Sequence, residues 1–266
     1  IVLFLLVGVA FAILYTQQQR LVGLALTELN KKFPGRLVIG GSDISLFQNL
    51  PYISIGLNKV QFYPDKKPET RPIYEAERLY VGFSLPDILK QRYTVKAIVL
   101  KNGHLDLVEE GNGQLNIVEA SRMTPDTTAP AGHGSAALEL NVKKIVLKNM
   151  SITYLDPKAG QKLFAHIDRI QSSFQDNDQL MDGAVDGNFL VDFTRPGDTV
   201  LLRHKHISTD IKFSYAKASG LLTLSEARLQ LEKALFNISG TVDLAHDNTV
   251  NLQFAGDRPD FKQLFA

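Results

Sequence analysis

The chain has 266 residues, enough for one large or two ordinary domains, and a formal net charge of +1. A charge this close to zero offers no broad basic field for nucleic acid. The absence of cysteine removes disulfides, thiol catalysis and cysteine–zinc sites, and the absence of tryptophan leaves any sugar or quaternary-amine stacking to Tyr and Phe.

Residues 1–15, IVLFLLVGVAFAILY, carry no charge or strong polar group. A bilayer span needs about 20 such residues. The first residue is Ile1 rather than Met, so a few more residues upstream would complete a span. Three readings compete. A buried core helix fits poorly, because the run has no polar face. A cleaved signal peptide would use Ala10-Phe11-Ala12 as its small-x-small cleavage site. An uncleaved anchor would place Tyr15 at the interface, ahead of the polar stretch Thr16 to Arg20. Val22, Leu26, Leu29 and Phe33 continue at helical spacing past that stretch, and this continuity favours the anchor. The expected organisation is an anchor over 1–16, a juxtamembrane helix and first β unit over 17–122, a linker over 123–137 and a second β unit over 138–266.

The juxtamembrane helix is expected over 17–33, stopped by Pro34-Gly35. Strand period follows. Leu37 and Ile39 alternate with Val38 and Gly40, and Ile53, Ile55 and Leu57 alternate with polar or small residues. Residues 60–63 form a short apolar run, 64–72 a polar loop and 73–83 a further strand. Ser84-Leu-Pro-Asp87 reads as a helix start, with a Ser cap, Pro in the first turn and an acid three residues on, which predicts a short helix to about Arg92.

Residues 95–102, VKAIVLKN, return almost unchanged at 142–149 as VKKIVLKN. Each copy runs on into alternating residues, His104 to Leu107 and Ser151 to Tyr154. Self-similarity of this kind marks stacked supersecondary units. The unit reads as strand, turn near Asn102 or Asn149, and strand. The first copy occupies 93–108 and closes at the loop Gly111-Asn-Gly113; the second covers 138–155. Met123 to Ser135, rich in Thr, Pro, Ala and Gly, separates them. Alternation then continues through Ile211, Phe213 and Tyr215, through Phe236, Ile238, Val242 and Leu244, and through Val250, Leu252 and Phe254. This is the pattern of an antiparallel sheet wet on one side. Asp257-Arg-Pro-Asp260-Phe261 echoes the Ser84 motif, so 261–266 should begin a helix, and both ends of the chain read as cut from a longer protein.

No set of residues assembles into an active site. His204-Lys205-His206 puts two imidazoles on one strand face, but no carboxylate lies at matching spacing. Asp176-Asn177-Asp178 with Asp182-Gly183 resembles a calcium loop, yet Leu180 stands at the fifth position, where an oxygen ligand is needed. Gly111-Asn-Gly113 lacks the Lys-Ser/Thr of a phosphate loop. Ser42 and Ser45 have no nucleophile-elbow context, and His104, His133, His166 and His246 read as surface or structural residues. The expectation is a non-enzyme with no cofactor, no metal and no catalytic residues.

What remains is the apolar faces. The expected helices, 17–33, 84–92 and the start at 257, are too few to cover so many strands. A β-sandwich closed on itself would solve this, and so would a curved sheet whose apolar inner face holds lipid chains; the pattern supports both equally. The candidate lining is Phe236, Ile238, Val242, Leu244, Val250, Leu252 and Phe254.

The order of features resembles the AsmA family found in envelopes of Gram-negative bacteria. The resemblance spans the chain. It is carried by residues 40–62 with the turn Phe47-Gln-Asn-Leu-Pro51, by 76–107, by GQLNI at 113–117, by 142–156 and by AGDRPDFKQLF at 255–265. Ile117 stands where the family usually has Trp. The resemblance implies a mainly β fold with few helices: an N-terminal transmembrane helix followed by curved antiparallel units of the repeating β-groove type. It further implies an inner-membrane anchor, a periplasmic body and a role in outer-membrane biogenesis, with phospholipid passed along an apolar groove. The alternative is a scaffold whose strand edges engage outer-membrane assembly proteins. No catalytic residues come with the family.

Overall fold

The computed structural model describes residues 2–67, 70–122, 138–195, 199–245 and 249–257. The linker at 123–137, His133, His246 and the helix expected at 261–266 lie outside them. The chain is mainly β with antiparallel strands, as expected, and has three helices among the described residues. In chain order these are α1 (Val2–Lys32), β1 (Arg36–Val38), β2 (Gly41–Asn49), β3 (Tyr52–Tyr63), β4 (Tyr74–Phe83), α2 (Leu85–Leu89), β5 (Tyr93–Val108), α3 (Asn116–Ser121) and β6 (Leu138–Asp156). Six strands follow: β7 (Gln161–Asp176), β8 (Leu180–Arg195), β9 (Thr199–Ala216), β10 (Leu221–Leu231), β11 (Ala234–Asp243) and β12 (Val250–Asp257). The chain divides into two compact units, residues 1–142 with 153–158, and residues 143–152 with 159–266.

In the first unit β1 and β2 both pair with β3, and β4 and β5 follow in order, all antiparallel. Helix α1 runs without a break through the polar stretch Thr16 to Arg20 and ends at Pro34-Gly35, with Lys31 and Lys32 against its negative pole. The Asn30 side chain then holds the turn into β1, donating to the Leu37 carbonyl at 2.8 Å and accepting from the Leu37 amide. Ala10 and Leu14 are completely buried and pack with Ile53, Phe83, Ile88 and Val95.

That packing corrects the expectation of an anchor. Among the described residues no helix is long and apolar enough to cross a membrane. The inner-membrane location with a single N-terminal span and a periplasmic bulk therefore loses its basis. The apolar side of α1 is placed against a sheet, and the four polar residues Gln17 to Arg20 interrupt its length. Ala10, Leu14 and Leu21 are buried on that side, whereas Leu6, Val9, Tyr15 and Leu24 of the same helix are exposed.

The repeat is real but is not strand, turn, strand. β5 and β6 each run through their Asn as one long strand, and Asn102 and Asn149 adopt φ of 53° and 50°. Asparagine tolerates the left-handed region better than other side chains, so each copy carries a kink at the same place. Lys59, with φ of 49°, does the same in β3, joining the two apolar runs expected at 53–58 and 60–63 into one strand. Val99 and Val146, equivalent in the two copies, are both buried. Asn102→Val should cost about 1–2 kcal/mol relative to Asn102→Gly. Both variants lose the 2.7 Å bond from Asn102 Nδ2 to Glu77 Oε2, so their difference in urea denaturation reports the backbone alone.

The helix start at Ser84 forms as expected, though the helix is shorter and ends at Leu89. Ser84 Oγ accepts from the Asp87 amide at 3.3 Å and donates to Asp87 Oδ2 at 2.5 Å. That bond, with Arg92 at 3.0 Å, holds the Asp87 carboxyl below its ordinary range.

In the second unit β7 to β12 pair in sequence order as consecutive antiparallel hairpins. They form one sheet rather than the two facing sheets of a sandwich. No helix lies in this unit among the described residues.

Candidate functional site

Alternation along each strand and register between strands together build one apolar wall in the second unit. Phe174, Gly183, Phe213, Leu224, Gly240 and Leu252 lie directly opposite one another from β7 to β12. Ser172, Val185, Ile211, Ala227, Ile238 and Phe254 form the adjacent row. Opposed residues of antiparallel strands point to the same face. β10 takes a step of three residues from Leu224 to Ala227 where a step of two would keep the period, and a bulge absorbs the extra one. Without the bulge, everything in β10 after Leu224 would swap faces.

Two glycines shape the wall. A Cβ at Gly183 would stand 2.2 Å from the Phe213 ring; its absence lets Phe174 and Phe213 meet edge to face at 6.4 Å. Gly240 has φ of 136°, and a Cβ there would stand 2.1 Å from the Asn251 carbonyl oxygen, so this position holds glycine for both strain and space.

All seven residues expected to line a lipid groove lie in or beside β11 and β12. Ile238 opposes Phe254, Val242 opposes Val250, and Leu252 faces Gly240. Phe236 sits two residues before Ile238 on the same face, and Leu244 follows the end of β11. Phe236, Ile238, Val242 and Leu252 are half-buried, whereas Leu244, Val250 and Phe254 are 52%, 59% and 66% exposed. The wall therefore extends further than the sequence reading placed it, across all six strands.

Lys205 is a residue to which the sequence reading gave no role. It opposes Val191 on the apolar face, at the end where Ile207 and Phe189 also lie, and is only 9% exposed. Counting back by twos from Tyr215, Phe213, Ile211, Thr209 and Ile207 reaches position 205, so the period carried the signal. His204 and His206 are exposed, and His204 Nδ1 lies 2.9 Å from Asp192 Oδ1.

The other chemical candidates resolve into surface structure. Asn177 closes the β7–β8 turn by accepting from the Gln179 and Leu180 amides at 2.9 and 2.8 Å. Asp176 pairs with Lys143 and Lys217, and these lysines hold its carboxyl below the ordinary range. Asp182 accepts from the Ser214 hydroxyl. Ser42 and Ser45 lie in β2 opposite Leu57 and Ser54. His104 and His166 stand beside Asp106 and Asp168, at 2.7 and 3.8 Å. Gly111 to Gly113 form the loop before α3, a helix the sequence reading did not anticipate. Among the described residues no three His, Asp or Glu side chains converge to hold a metal ion.

Fold and site together define an open antiparallel β protein with an apolar wall on one face. No family model matches the chain, and no curated protein matches it.

Proposed function

We propose that the wall of β7 to β12 binds the acyl chains of phospholipid and that the protein carries phospholipid along it, acting as a conduit and not as a catalyst. The observation that carries this reading is an apolar face of six strands whose large side chains remain half-exposed, in a unit that has no helix of its own among the described residues. Exposed apolar surface of that extent marks an interaction site. An acyl chain laid on it contributes about 0.8 kcal/mol per buried CH₂, so specific head-group chemistry is not needed for affinity. The resemblance to the AsmA family supports the same reading, with β5 and β6 as equivalent strands of a repeating β-groove and a role in outer-membrane biogenesis.

Protein purified without detergent should carry phospholipid, found by mass spectrometry of its extract, and should move labelled phospholipid between donor and acceptor vesicles. Folded protein that is reproducibly free of lipid would count against the conduit. It would favour the second reading, a scaffold for outer-membrane assembly proteins. One observation supports that alternative: the outer edge of β12 pairs with no strand among the described residues and could accept one by strand addition.

A further inference from the structure

We propose that the outer edge of β12 pairs with the same edge of a second copy of this chain, making a symmetric dimer with one sheet continuous across its two-fold axis. In an antiparallel pair, alternate residues turn their backbone N–H and C=O toward the neighbouring strand. The Asp243 amide donates to the Thr249 carbonyl at 2.9 Å, and these two positions stand opposite each other in the register of β11 with β12. Asn251, Gln253 and Ala255 therefore turn their backbone groups to β11, and Val250, Leu252, Phe254 and Gly256 turn theirs to the outer edge. No strand meets that edge among the described residues.

Proteins blunt such edges with short strands, charges, prolines or bulges. The edge of the first unit is blunted: β1 has three residues and begins with Arg36, and β2 loses register with β3 after Ser45. β12 has none of these devices. It keeps unbroken register with β11 through eight residues, and Val250 to Gly256 contain no charge and no proline. Laid antiparallel on itself about Gln253, the strand sets Leu252 opposite the second copy's Phe254 and Val250 opposite its Gly256, each twice by symmetry. Every one of these residues presents its backbone groups outward, so the pairing exchanges about eight hydrogen bonds. Leu252 and Phe254 lie on the apolar wall, and Phe254, 66% exposed, gains an apolar neighbour. On the other face the two Gln253 amides meet, each able to donate and accept. A foreign strand could supply the same backbone bonds, but self-pairing matches every side chain with no like charges opposed. The contact is isologous and closes at two copies. It belongs to the backbone edge and holds whether or not the wall carries lipid.

Analytical ultracentrifugation of the full chain without detergent should show a monomer–dimer equilibrium. In the dimer, amide hydrogen exchange at Leu252 and Phe254 should slow at least tenfold relative to the monomer, with a much smaller change at Asn251 and Gln253, which already bond to β11. Leu252→Pro removes an outward N–H and no bond to β11. It should weaken dimerisation at least hundredfold, whereas Leu252→Ala, which keeps the amide, should weaken it less than tenfold. A chain that stays monomeric at millimolar concentration would overturn the proposal. So would a dimer whose Leu252 and Phe254 amides exchange as in the monomer, since the contact would then lie elsewhere. Protection of those amides in the monomer would overturn it too, because the chain would be covering its own edge, and so would undiminished dimerisation of folded Leu252→Pro. The exchange result decides even if the proline variant fails to fold, and none of these readouts depends on bound lipid.

Discussion

Ile238→Asp is expected to copurify with at least a hundredfold less phospholipid than the wild-type protein. Ile238 stands within the apolar row, between Ala227 and Phe254. An acyl chain laid there would bury the new carboxylate without a partner, an outcome proteins avoid by neutralising the group. Protonating an aspartate at pH 7 costs about 4 kcal/mol from its ordinary pKa, and each 1.4 kcal/mol is tenfold in affinity. Without lipid, the half-buried side chain keeps contact with water, so the fold should survive with a thermal midpoint only a few degrees lower. Ser239→Asp places the same charge on the opposite, exposed face and should keep its lipid. Mass spectrometry of both extracts decides the matter. Undiminished lipid in Ile238→Asp, or equal loss in both variants, would show that the wall is not where lipid lies.

The second large effect concerns stability. Phe83→Ala should destabilise the first unit by about 3–5 kcal/mol, the cost of removing a buried aromatic and leaving a cavity. Phe83 is 1% exposed and packs in one cluster with Leu14, Ile88 and Val95, so its ring joins α1, α2 and the sheet. It also borders, beside Leu21, an apolar cleft of about 180 Å³ between α1 and the sheet, so its loss would enlarge an existing space. Val118→Ala, at a side chain 48% exposed, should change stability by about 0.5 kcal/mol or less. Guanidinium denaturation of the two variants gives the comparison. A loss below about 1 kcal/mol for Phe83→Ala would mean that α1 does not seat on the sheet through this residue.

Much of the fold could be read from short-range pattern. Strand alternation is local, so β4, β11 and β12 could be placed from their own residues, and so could the polar and apolar faces of β9 and β11. The Ser84 cap was legible because the hydroxyl and the amide that meets it lie three residues apart. That apolar residues of β11 and β12 share a face was legible for the same reason, since two neighbouring strands with matched alternation must do so.

Other features depended on partners remote in sequence. Asn102 signals a turn as readily as a kink, because the same left-handed backbone serves both. The choice fell to β4, where Ala76 pairs with Gly103 and Arg78 with Lys101, holding the strand straight on both sides of the asparagine. Lys205 sat on the apolar period of β9, but that Val191 of β8 stands opposite it is set by the register between strands.

The repeated VKxIVLKN and the two-residue period were determined by the sequence itself, because both are properties of neighbouring residues. What the apolar run at the N-terminus packs against was decided by the tertiary structure alone. Hydrophobicity measures how strongly a segment avoids water, and that is the same for a helix bound for lipid and one bound for a sheet. Ala10 and Leu14 lie in one buried cluster with Ile53, Phe83 and Ile88, and that packing puts one side of the helix on the core.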